Sequence, residues 1–166
     1  MQSAVPTVSR AGVRTPARSR PDERARVMTP RARPPFDAEG ALRAVPERAP
    51  TTARGALMLD VLAEASVRLE LEAIAAAPVA PAAARAHEFE AESARTLHRL
   101  LHETLGASGH GPDVVAAALR RVERFGGWLA LRRPEPSDAP DGGARSGAMC
   151  AAVLDALRGM LPLHAA

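Results

Sequence analysis

Lysine, tyrosine and asparagine are absent from this 166-residue chain, and isoleucine occurs once, at Ile74. All four use AT-rich codons, so their scarcity points to a GC-rich, bacterial genome. Arginine is then the only strong base in use, and its abundance is weak evidence of phosphate recognition. Three Phe and one Trp, Trp128, are the only aromatics, and the same bias deprives that count of functional meaning. The single cysteine, Cys150, excludes an internal disulfide framework and fits a reducing, cytoplasmic compartment. No run of 18 apolar residues occurs, so no membrane span is expected. The start of the chain has no apolar core of a secretory signal peptide. It does carry Arg10, Arg14, Arg18 and Arg20 without an acid, as transit peptides do, but Pro6, Pro16 and Pro21 interrupt any amphipathic helix there.

What is present divides near residue 52. Residues 1–54 hold eleven Arg against five acids, a net of +6, whereas residues 55–166 carry −3. The high pI thus belongs to the first part, and the second is mildly acidic. Eight of the fifteen Pro fall in residues 1–52, where Val5, Val8, Val13, Val27, Met28 and Phe36 stand isolated. Fixing such a backbone costs ~1–2 kcal/mol per residue with little apolar surface to bury in return, so a disordered basic tail is expected over 1–52. Within it, Phe36 and Leu42-Arg43-Ala44-Val45 are the residues best suited to touch something else.

Residues 53–166 read as four helices. The first runs from about Ala53 to Ala77, with Thr51 or Thr52 as N-cap and Pro78 as the stop. Met58, Leu62, Ala65, Leu69 and Ala73 make its inner stripe, and Leu57, Val61 and Leu71 are expected to widen it. Glu64 and Arg68 form an i,i+4 pair outside it. The second opens at Pro81 and ends at Gly106, with Phe89, Ser93, Leu97, Leu100, Leu101 and Leu105 inward. The third spans Pro112 to Arg132-Arg133 on Val115, Leu119, Val122, Phe125 and Leu129, and Gly126-Gly127 threaten to kink it. After a Pro/Gly/Asp loop over 134–145, Ser146 caps a fourth helix, 147–161, on Met149 or Cys150, Val153, Leu157 and Met160 or Leu161. The expected fold class is all-α: a small antiparallel bundle of about four helices behind a disordered Arg/Pro-rich tail. Alanine fills many inner positions. At ~25 cal/mol per Å² of apolar area, such a core is marginal unless a partner or a second copy covers one face.

No residue pattern announces chemistry. His87, His98 and His102 have metal-like spacing along one helix, but a zinc-protease helix needs a second His after its Glu, and a real centre needs further ligands. Neither a metal nor a cofactor is expected. Ser108, His110 and Asp113 spell a triad yet sit in one loop, whereas a working triad converges from separated elements. Arg120, Arg121 and Arg124 in a helical hairpin suggest a DNA-reading unit, against which stand the long turn and the acidic body. The tail arginines are dispersed among Asp22, Glu23, Asp37 and Glu39, so weak, non-specific nucleic-acid binding at most is expected. Cys150 reads as a small buried hydrophobe. Trp128 reads first as a core plug at a helix end and second as a contact residue.

The resulting expectation is a non-enzymatic protein–protein interaction module, a bacterial cytoplasmic adaptor, chaperone-like or assembly factor. Its partner is another protein or a second copy of itself. The fourth helix, short and joined by the longest loop, is expected to be the least firmly docked. Its seam with the first, lined by Met58, Leu62, Val153 and Leu157, is the expected landing place, with Trp128 as a further contact. A nucleic-acid-associated protein working through the Arg tail and a helical His-carboxylate metal protein are the competing readings.

Overall fold

The computed structural model describes residues 35–108, 110–132 and 142–162, with residues 107 and 108 described in backbone only. Residues 1–34 of the expected tail therefore lie outside it. Among the described residues every regular element is helical: α1, Ala38–Arg43; α2, Thr51–Ala76; α3, Pro81–Ser108; α4, Pro112–Leu131; and α5, Gly142–Arg158. The all-α bundle expected from periodicity is the observed fold.

The helix borders follow local chemistry. Pro50 enters α2 with extended ψ and no side-chain cap, and the helix begins at Thr51 itself. Pro78 ends it, and a turn of four residues returns the chain as α3, so the two longest helices form an antiparallel hairpin. Gly111 leads into α4 with Pro112 in the first turn, where its missing N–H costs nothing, and Asp113 beside it complements the helix dipole. Gly126-Gly127 do not break α4, which runs on to Leu131.

The core forms where the inner stripes meet. Met58, Leu62, Ala65, Leu97, Val122 and Val153 are fully buried, and Leu101, Val115 and Leu157 join them. Both Met149 and Cys150 of α5 face inward. Helix α5 starts earlier than expected. Ser146 lies within it, fully buried and with no partner for its hydroxyl, so it caps nothing. The earlier start rests on Gly142: a Cβ there would lie 2.9 Å from the Ala86 backbone, so only glycine lets α5 open directly against α3.

The expected tail boundary at residue 52 is too late. Helix α1 lies inside the stretch assigned to the tail and packs against α2 and α5, with Leu42 and Val45 in the core. Asp37 caps it by accepting from Gly40 N at 2.8 Å, and Glu72 of α2 accepts from the Phe36 backbone N–H at 3.0 Å. The guanidinium of Arg68 lies 5.0 Å from the centre of the Phe36 ring. The ordering cost of this short segment is met by burial of Ala38, Leu42 and Val45, a return that its own sequence does not reveal.

Candidate functional site

The expected landing seam is not a surface. Met58, Leu62, Val153 and Leu157 are each 0 % exposed. Helix α1, packed against both α2 and α5, covers this region from within the same chain. Nor is α5 loosely held. It packs against α1, α3 and α4, and Arg54 clasps its C-terminal end. Arg54 Nη1 donates to Gly159 O at 2.6 Å and to Glu47 O at 3.3 Å, while Nη2 donates to Ala156 O at 3.1 Å. One buried guanidinium thus ties the α1–α2 linker to carbonyls that the end of α5 leaves open.

Two other surfaces remain. The first is the outer face of α2. At 100° per residue, Val67, Leu71 and Ile74 fall on one line, opposite the buried line of Met58, Leu62, Leu69 and Ala73. They are 57 %, 60 % and 65 % exposed. Leu57, on the same side, is 40 % exposed. Leu57 and Leu71 therefore do not widen the core stripe as expected; they belong to a second apolar face. Exposed Ala63 and Ala75 lie beside that line, and the Glu64–Arg68 pair, 2.7 Å apart, borders it.

The second surface is the C-terminal end of α4. Trp128 is 43 % exposed, which overturns the core-plug expectation and makes it the one expected contact residue that reaches solvent. Its ring stacks on Phe125 at 5.6 Å, and the Arg132 guanidinium lies 4.9 Å from its centre. Leu131 beside it is 88 % exposed. The geometry separates the three arginines weighed above, and set aside, as a DNA-reading unit. Arg121 turns to α3, bonding Glu103 at 3.2 Å and Thr104 at 3.1 Å. Arg120 and Arg124 stand exposed along a shallow recess with Glu123.

The remaining candidates do not converge. His98 and His102 stack on each other with centroids 5.9 Å apart, while His87 lies 3.7 Å from Glu72. Among the described residues, no group of three or more His, Cys, Asp or Glu is placed to hold a metal ion. His110 packs against Gly55, where a Cβ would collide with its imidazole, and Asp113 is an exposed first-turn residue of α4; the Ser108 side chain lies outside the description. Cys150 is buried, its Sγ 3.7 Å from Val122 O, and burial pushes its thiol up to about 11, away from the reactive thiolate. A recess of about 260 Å³ beside α1, lined in part by Phe36, Asp37, Met149 and Glu90, is bordered by Arg145, whose guanidinium lies 3.6 Å from Glu90. Among the described residues no helix is long and apolar enough to cross a membrane.

No protein-family model, curated protein or solved structure matches this chain.

Proposed function

We propose that the protein is a non-enzymatic interaction module that associates through the outer face of α2. The observation that carries this reading is that α2, from Ala63 onward, is apolar on its outer face as well as on its buried one, with exposed Asp60 marking where that outer face begins. A helix at the edge of a bundle ordinarily turns a polar face to water. Val67, Leu71 and Ile74 instead present a continuous line, and burying each side chain in full is worth roughly 1.5–3 kcal/mol. The proposed occupant is the same face of a second copy. A two-fold axis close to Leu71 sets Val67 of one copy against Ile74 of the other, with Leu71 meeting its own counterpart, an isologous contact. The flanking alanines, Ala63 and Ala75, favour close approach of the two helices. The module is assigned to the cytoplasm of a bacterium, in keeping with its single, buried cysteine and codon-biased composition.

Sedimentation equilibrium of the full chain tests the proposal. A concentration-dependent dimer is expected, lost in Leu71→Asp while the helical circular dichroism persists. A parent chain that stays monomeric across the accessible concentrations, or a dimer indifferent to Leu71→Asp, removes the second copy as occupant of this face.

A further inference from the structure

We propose that the exposed end of α4 is a second docking site, one that takes an acidic segment of another protein. Arg120, Arg124, Trp128 and Arg132 recur at every fourth residue. At 1.5 Å and 100° per residue they make a row about 18 Å long that winds about a third of a turn around α4, with Arg132 at its C-cap. Nearby arginines on the flanks are committed: Arg121 to Glu103, and Arg158 to Asp155 at 3.2 Å and Glu123 at 3.5 Å. Arg120, Arg124 and Arg132 make no ion pair with any described residue. Among the described residues, the cations flanking α4 are thus satisfied, whereas this exposed row has no carboxylate partner.

The row carries an apolar anchor in its middle. Trp128 is held by its stack on Phe125 and by the Arg132 guanidinium, so little motion is lost when a ligand covers it. Leu131 extends the apolar surface beside it. Tryptophan and arginine together are the residues that most often dominate protein interfaces. Each arginine fork can receive a carboxylate with two parallel N–H···O bonds, and an apolar side chain between the carboxylates covers the indole.

Length and aromatic content decide against a nucleic acid as the occupant. Exposed Asp113 lies about 10 Å beyond Arg120 on the same side of α4, so a polyphosphate longer than the row meets a carboxylate there, whereas a short segment ends before it. Single strands are held by several aromatic platforms in succession, whereas Trp128 is the only large aromatic among the exposed hydrophobics of the described residues. A short acidic segment needs only the three forks and one apolar contact. This inference extends the interaction reading to a separate helix, so the α2 proposal can fail without it.

Because Trp128 is the only tryptophan, its fluorescence reports on this site in the full chain. The probe is a short synthetic peptide with a Glu-Asp block on each side of one Phe. A saturable fluorescence change is expected, weakening as salt rises. The Arg120→Glu, Arg124→Glu double variant is expected to lose about tenfold or more in affinity. Arg99→Glu on α3 and Leu71→Asp on α2 are expected to bind as the parent does, and the circular dichroism of all variants must match it. No fluorescence change, or equal binding by the double variant, overturns the proposal. So does tighter binding, with the same loss in the double variant, of an oligothymidylate of equal charge or of phosphatidylglycerol vesicles; the site would then serve a nucleic acid or a lipid surface.

Discussion

Arg54 is the residue whose role is hardest to anticipate and easiest to test. It is 4 % exposed, and its partners at the α5 end lie more than a hundred residues away. An arginine in the first turn of a helix carries no mark in the sequence that distinguishes a solvated side chain from one directed at the open carbonyls of a distant helix. Arg54→Ala is expected to cost about 2–4 kcal/mol, because it removes hydrogen bonds from a charged donor and leaves buried carbonyls unpaired. Urea unfolding checks this. A cost under about 0.5 kcal/mol, typical of a surface substitution, means that the clasp contributes nothing. Cys150 gives the second test at this scale, and here the sequence was informative: an apolar stripe position read correctly as a buried one. Burial pushes its folded thiol up to about 11 from an ordinary value of 9.0. Between those values the unfolded chain has released a proton that the folded chain retains, so stability falls as pH rises. The expected loss from pH 9 to pH 11 is about 2 kcal/mol. No lysine or tyrosine exists to titrate in the same window. Unfolding curves across that range should slope downward for the parent and flatten in Cys150→Ala.

At the scale of elements, the long helices were legible because Pro78, Pro81 and Pro112 mark their borders and a repeating apolar stripe runs between them. Helix α1 was not. Six residues make less than two turns, too few for a period to show, and Pro46 and Pro50 behind it read as loop. Its order comes from the covering of Leu42 by α2 and α5, which is information held by other segments. Leu42→Ala is therefore expected to destabilise the body by about 2–4 kcal/mol, as removal of a core leucine does, although the residue lies in what reads as a tail. An effect near zero in chemical denaturation would show that α1 is not part of the cooperative unit. The direction of α2 was half legible. Period alone identifies apolar residues at Leu57 and Leu71 but does not say which neighbours face them, and these two face away from the core. The same limit applied to the seam: the stripes of α2 and α5 were found correctly, yet whether they met a partner, water or α1 depended on a segment judged unable to fold. For that reason Leu157→Asp, in the buried seam, is expected to unfold the bundle rather than to expose a binding defect.

For the whole molecule, a core rich in alanine and an outward apolar face are two sides of one account. Close-packed alanines join helices while burying little area each, and in the proposed dimer association supplies what the interior does not. Thermal stability should then rise with protein concentration, since a dimer is favoured by mass action. Calorimetric scans over a hundredfold concentration range are expected to raise the Tm of the parent and leave that of Leu71→Asp fixed. The most direct measurement is oxidative cross-linking. In a Cys150→Ala background, Leu71→Cys places one thiol per chain at the proposed two-fold. Rapid formation of a disulfide-linked dimer is predicted, far faster than for Arg99→Cys on exposed α3. Equal, slow cross-linking of the two variants would contradict the assignment of the α2 face as the meeting surface of two copies.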